Sequence, residues 1–169
     1  MVMMTDDDVR DAPILGFDDA YQRWYADVFR YVRRRVGDDL APDVTMDAFA
    51  VAWRRGDDLL SADVPLAWLY GVARRCVANA RRSRSRSRAL ADRAAAMATD
   101  AVPDGSAEVV DALSRLGDAD REVLMLSAWE GLSGEEMAVV LDITPGAARK
   151  RLSRARGRLA AALEGDTNA

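Results

Sequence analysis

The chain predicts an all-α protein made of two small helical domains joined by a flexible linker. Three observations carry this expectation. Apolar residues recur at spacings of three and four in one segment after another, and no stretch alternates with the period of two that marks a strand. Asp, Ser, Thr and Pro fall where these segments begin, and Gly falls where most of them end. Between residues 89 and 105, just after the basic run SRSRSR, the periodicity lapses into an alanine-rich stretch that ends in Asp100-Ala101-Val102-Pro103-Asp104-Gly105.

Residues 1–15 have no sustained period and carry Asp6, Asp7, Asp8 and Asp11, so they read as a mobile acidic tail. The first domain is expected over residues 16–88. Its opening helix, Phe17 to Val36, has Asp18 and Asp19 near the start and aligns Tyr21, Trp24, Tyr25, Val28, Tyr31 and Val32 on one stripe before Gly37 ends it. A second helix begins near Ala41-Pro42 and runs to about Arg55, with Val44, Ala48, Phe49, Ala52 and Trp53 inward. Gly56-Asp57-Asp58 is expected to stop it, and Leu59 to Val64 to form a loop. A third helix starts around Pro65, turns Leu66, Leu69, Tyr70, Ala73, Cys76, Val77 and Ala80 inward, and continues into an arginine-rich end.

Residues 89–105 form the expected linker, with some frayed helix, and residues 106–165 the second domain. Ser106 opens a helix with Val109, Val110, Leu113 and Leu116, closed by Gly117. Asp118 or Asp120 opens another with Val123, Leu124, Leu126 and Trp129, closed by Gly131. Ser133 then caps a short helix with Glu135 and Glu136 in its positive first turn and Met137, Val140 and Leu141 inward. Asp142 and Ile143 make the turn. Thr144 caps a final helix with Pro145 at the first position, where a missing N–H has no consequence. Ala148, Leu152, Ala155 and Leu159 face its core. Both cores are small, so each has limited stability by itself.

Composition narrows the function classes. Hydrophobic content of 50% with 31% charged residues describes a globular chain. No apolar run approaches the roughly 20 residues that span a bilayer, and the acidic start is unlike a secretory signal, so the expected site is the cytoplasm without membrane insertion. The single cysteine, Cys76, rules out an intramolecular disulfide framework and a cysteine-rich zinc site, and reads as an inert core thiol. There is no histidine, no phosphate-binding Gly-Lys loop and no nucleophile with a nearby base, so no enzyme, metal or cofactor is expected. The net charge of −4 does not exclude nucleic acid, because acids crowd the start while arginines crowd 74–93 and 149–158. Screening over about 8–10 Å lets DNA respond to the local patch.

Three surfaces follow. The last two helices form a helix-turn-helix whose second helix exposes Arg149, Lys150, Arg151, Ser153, Arg154, Arg156 and Arg158. Gly146 and Ala147, next to Thr144, allow the backbone to approach a major groove closely. In the third helix Trp68, Tyr70, Arg74, Arg75, Asn79, Arg81 and Arg82 mix aromatics, an amide and cations, the combination that stacks unpaired bases and holds phosphates. Core packing is the alternative for Trp68 and Tyr70, and for Tyr70 it accounts for the aromatic equally well. The outward face of the second helix, with Asp43, Met46, Asp47 and Val51, is acidic and apolar and suits a protein partner or a plain surface.

Taken in order, these segments resemble an extracytoplasmic-function (group IV) sigma factor of bacterial RNA polymerase, a branch of the sigma-70 family. DVTMDAFAVAWRR and PLAWLYGVARRCVANARR are similar to the family's region 2, and LSRLGDADREVLMLSAWEGLSGEEMAVVLDITPGAARKRLSRARGRL is similar to region 4. The resemblance implies a promoter-specificity subunit with core RNA polymerase and promoter DNA as partners. It implies that Asp43, Met46, Asp47 and Phe49 meet the beta-prime clamp helices, and that region 4 meets the beta flap. It implies that Trp68, Tyr70, Arg74, Arg75, Asn79, Arg81 and Arg82 melt and read the −10 element. It implies that Thr144, Gly146, Ala147, Arg149, Lys150, Arg151 and Arg154 enter the −35 groove, and that an anti-sigma factor is a common partner. The chain departs from the pattern at Met46 (commonly Gln), Arg75 (Asn), Asn79 (Asp), Ala147 (Thr) and Asp142 (Gly).

A linker of about 17 residues stretches to roughly 56–60 Å, which spans two elements about 17 base pairs, or roughly 58 Å, apart. The same tether leaves the domains free to pack together and hide the arginines. A helix-turn-helix by itself also fits a stand-alone regulator of duplex DNA, which would bind without polymerase.

Overall fold

The first apolar stripe folds as α1, Phe17–Val36, in a computed structural model that describes residues 16–91 and 107–167. Ala20, Trp24, Val28, Tyr31, Val32, Arg35 and Val36 are its buried residues, one helical face interrupted by a single charge. Asp18 and Asp19 make no side-chain cap and act through the helix dipole. Gly37, at φ 83°, ends the helix in a conformation that a Cβ disfavours and donates its N–H to the Arg33 carbonyl at 2.9 Å.

α2 (Ala41–Arg54) buries Ala41, Val44, Thr45, Ala48, Phe49 and Ala52 against α1 and α4. Trp53, expected inward, is 64% exposed. The stripe is already closed by Phe49 and Ala52, and position 53 rotates about 100° past Ala52. The expected stop and loop at Gly56 to Val64 also differ. Gly56–Leu60 is a short helix, α3, and it drives Leu59 fully into the core. Arg55 breaks the direction of α2 at φ −116°, ψ 37°, so Asp57 and Asp58 open a new helix at its positive end.

α4 (Pro65–Ala91) is the long helix of the first bundle and carries the SRSRSR run, so Ala89 to Ala91 continue it into the expected linker. The rest of that linker and the acidic tail lie outside the described residues. In the second bundle α5 (Ala107–Ser114), α6 (Asp118–Ala128) and α7 (Gly134–Leu141) pack with α8 (Pro145–Thr167). Arg121 ties α5 to α6: its guanidinium donates to the carbonyls of Leu113 (3.0 Å), Ser114 (3.0 Å) and Leu116 (2.9 Å) at the end of α5. No described helix is long and apolar enough to cross a membrane.

The bundles do not stand apart. α4 packs against α7, with Gly71 facing the backbone of Val139 and Val140, where even a Cβ would sit 3.7 Å from the Val139 carbonyl oxygen. One apolar core runs through both bundles.

Candidate nucleic-acid and partner interfaces

The helix-turn-helix is set by local chemistry. Ser133 Oγ accepts from the Glu136 N–H (3.2 Å) while Glu136 accepts from the Ser133 N–H (2.7 Å), a reciprocal cap for α7. Asp142 ends α7 in the left-handed region (φ 57°, ψ 50°), the turn that Asp tolerates better than most residues. Thr144 Oγ1 accepts from the Ala147 N–H at 3.2 Å and starts α8. Ser133→Ala removes the Oγ that accepts from the Glu136 N–H and keeps the backbone N–H that donates to Glu136, and a loss of about 1 kcal/mol is expected. A thermal melt followed by far-UV dichroism should show this as a drop of about 4–8 °C.

On α8, Thr144, Gly146, Ala147, Arg149, Lys150 and Arg154 are exposed on the face away from Ala148 and Ala155, which are fully buried. Arg149 pairs with Glu135 of α7. Arg151 departs from this set: half-buried, it turns into the gap between the bundles.

On α4, Arg75, Asn79, Arg81 and Arg82 are exposed and Arg74 is half-buried. Arg81 donates from Nε (3.0 Å) and Nη2 (2.7 Å) to the Arg35 carbonyl at the end of α1, and Arg82 donates to Asn79. Trp68 is half-buried beneath the Arg55 guanidinium, 5.4 Å from its ring centre. Tyr70 is a correction as a base-stacking residue in this conformation. It is 4% exposed and packs 5.1 Å from the Tyr31 ring, because the α4 stripe that includes Leu69 and Ala73 carries it into the core.

The outward face of α2 holds Asp43 and Asp47, both exposed, and Met46 at 51% exposure. Phe49, at 1% exposure, is the floor of this surface and not part of its rim. Phe17, Tyr21, Met46, Phe49, Ala50 and Trp53 together line an open apolar groove of about 320 Å³. The Phe17 and Trp53 rings meet edge to face at 5.0 Å, as do Tyr21 and Phe49 at 4.8 Å. Cys76 of α4 is half-buried on the side that faces α2, and burial, with Asp47 adding, raises its thiol pKa and keeps it protonated.

Side chains that sequence reasoning did not single out join the two bundles. Arg35 of α1 donates from Nε to Glu122 of α6 (3.0 Å) and from Nη1 to Glu130 (3.4 Å) and to the Tyr31 carbonyl (2.9 Å). Its guanidinium lies 3.6 Å from the Tyr31 ring centre, and the Tyr31 hydroxyl donates to Glu122 at 3.0 Å. Arg34 donates to Glu130 at 3.3 Å and sits over the Trp129 ring at 5.9 Å. The readable signal was an arginine at position 35 within the apolar stripe, four residues past Tyr31.

Burial opposes the charge on Arg35, but the Tyr31 oxygen and the Glu122 and Glu130 carboxylates outweigh it, so its pKa rises and it stays cationic. Burial pushes the Glu130 carboxyl above the ordinary 4.5; Arg35 and Arg34 hold it back only partly, and Glu122 adds to the rise. Its Oε2 is buried without a hydrogen-bond partner among the described residues, which explains why desolvation prevails. A carboxyl raised in the packed form binds its proton more tightly there than after separation. The packed form therefore gains stability that is complete below 4.5 and is lost as pH rises through the raised value. Interdomain fluorescence transfer titrated from about pH 4 to 8 should fall with rising pH in the native chain and lose that slope in Glu130→Gln.

Residues 20–87 match the family Sigma-70 region 2, and residues 106–159 match Sigma-70, region 4. The chain is 35% identical over 153 residues to the ECF RNA polymerase sigma factor SigD of Mycobacterium tuberculosis, covering 78% of this chain and 69% of that protein. It is 32% identical over 126 residues to the probable RNA polymerase sigma factor RfaY of Xanthomonas campestris, covering 68% of this chain but only 32% of that protein's length. Its fold is similar to sigma factor RpoE of Bartonella quintana, solved with the anti-sigma factor NepR. That match has a TM-score of 0.66 and 24% identity, and covers 88% of this chain and 96% of the other.

Proposed function

This chain belongs to the extracytoplasmic-function RNA polymerase sigma factors, and we propose that it divides promoter-specific initiation among three of its surfaces. α8 reads the −35 element, with Arg149, Lys150, Arg151 and Arg154 on the groove and phosphates and Thr144, Gly146 and Ala147 at close backbone approach. α4 takes the −10 strand, with Trp68, Arg74, Arg75, Asn79, Arg81 and Arg82 around unpaired bases and Tyr70 supporting them from the core. The groove at Phe17, Met46 and Trp53, edged by Asp43 and Asp47 and floored by Phe49, receives core polymerase. The chain carries no catalytic role; the polymerase, in the cytoplasm, does the chemistry. An anti-sigma factor competing for the groove is the natural off-switch.

The observation that carries this reading is the α7–α8 unit, where a capped helix, a left-handed turn and an exposed cationic face coincide. A stand-alone regulator would account for that unit but leaves the region 2 match over residues 20–87 without a purpose.

The packed arrangement implies a step before DNA is engaged. Arg74, Arg75 and Arg81 share one gap with Arg151, whereas the two promoter elements lie roughly 58 Å apart. The bundles must separate, along the linker expected between residues 89 and 105, for both elements to be held together. Residues 16–88 and 106–165 are the units that would move.

Trp53→Ala combined with Met46→Ala tests the groove. Both side chains are more than half exposed, so the fold should survive. Loss of an aromatic anchor of this kind is worth about 2 kcal/mol, so affinity for core polymerase, read by fluorescence anisotropy, should drop by roughly 30-fold. Unchanged affinity would remove the groove from the reading.

A further inference from the structure

We propose that the cleft between the two bundles is a binding site for a small polyanion with adjacent phosphate groups, and that its ligand holds the chain in the packed form. The cleft has a volume of about 410 Å³, within the range of ligand sites. Five arginines line it, Arg35, Arg74, Arg75, Arg81 and Arg151, against two carboxylates, Asp118 and Glu122. Arg35 and Arg81 are engaged by protein groups, as described. Arg74, Arg75 and Arg151 have no hydrogen bond or ion pair among the described residues, although they converge from two bundles on one space. Like charges brought together in this way repel unless an anion lies between them.

A second observation points the same way. Arg35 is 3% exposed and forms the floor of the cleft, and its Nη2 is buried with no hydrogen-bond partner among the described residues. That N–H lies beneath the cleft surface, so a phosphate oxygen would reach it only after a small shift of the Arg35 side chain, and would then supply the partner it lacks. Guanidinium groups on α1, α4 and α8 would then face one ligand from both bundles. Because the ligand touches both bundles, it binds the packed form more tightly than the separated one and shifts the population toward it. Phosphate charge in the cleft also occupies Arg74, Arg75 and Arg151, so the ligand opposes promoter DNA. That regulatory consequence rests on the DNA-facing roles proposed above; the binding itself does not.

Titration calorimetry on the full chain with inorganic tripolyphosphate provides the test. One saturable site per chain is expected, and Arg75→Gln with Arg151→Gln should weaken it by at least about tenfold. Arg84→Gln with Arg86→Gln removes the same charge from exposed positions of α4 outside the cleft and should change affinity by less than about twofold. Interdomain fluorescence transfer should rise on saturation in the native chain. Equal weakening by both pairs, several weak sites or no saturation would each overturn the proposal. A nucleoside triphosphate without magnesium, run in parallel, separates a nucleotide ligand from a bare polyphosphate: tighter binding identifies the base as part of the recognised group, and equal binding assigns recognition to the phosphates. Inhibition of promoter-directed transcription is a separate readout, so a failed DNA assignment with intact tripolyphosphate binding is recognisable.

Discussion

Arg149→Glu with Arg151→Glu should reduce promoter-directed transcription by at least about 100-fold, since each lost base-edge contact is worth about 1–3 kcal/mol and each reversal adds repulsion from phosphate. Arg149 is exposed, and its ion pair with Glu135 lies on the surface, so its loss does little to stability. Arg151 has no partner to strand among the described residues. Core polymerase should bind the double variant as it binds the native chain, because the apolar groove lies on α1 and α2, in the other bundle. In vitro transcription from a cognate promoter, scored beside core binding, checks both halves. Normal transcription from this variant would sink the −35 assignment of α8.

Arg35→Ala should open the chain. Removing one partner of a buried ion pair generally costs about 3–5 kcal/mol, because the remaining charge stays in a poor dielectric. Here Glu130, with a side chain only 2% exposed, would keep Arg34 alone among the described residues, and Glu122, at 17%, would keep the Tyr31 hydroxyl. Both belong to the second bundle, so separation returns them to water by dividing the shared core between the bundles and not by unfolding their helices. A shift of that size changes the ratio of packed to separated chains by roughly 100-fold or more. Small-angle scattering should show a larger radius of gyration and interdomain transfer should fall. The effect should be milder in acid, where the Glu130 carboxyl, already raised by burial, is neutral. An unchanged radius would show that the α4–α7 contact at Gly71, and not the ion network, holds the bundles together.

The two substitutions probe features that differ in how they were legible. Everything that sets α7 and α8 is local: the Ser133 and Thr144 caps act within three residues, and Ala148 and Ala155 follow from a spacing of seven on one face. A single sequence therefore displays them. The family resemblance of regions 2 and 4 was legible for the same reason, as motifs in their order along the chain. Where periodicity misled, the cause was a third party. Trp53 obeyed the helical stripe until Phe49 and Ala52 had filled the space, and Gly56-Asp57-Asp58 has the composition of a break but starts α3 because Leu59 needs burial. Tyr70 could equally be core or base platform until Tyr31 was found against it.

By itself, the sequence determined the helices of both bundles in their main extents, the caps and turn of the helix-turn-helix, the cationic face of α8 and the family to which the chain belongs. These depend on backbone propensity, dipole ends and spacing, which are properties of contiguous residues. Only the tertiary structure decided how the bundles meet. Arg35 and Glu122 are separated by 87 positions and Arg35 and Glu130 by 95, and no local pattern encodes such a pairing. Nor could any local pattern place Arg151 opposite Arg74 and Arg75 in one cleft. Whether a charged side chain faces solvent, a carboxylate or another arginine depends on the surface brought against it, and that surface exists only once both cores have formed.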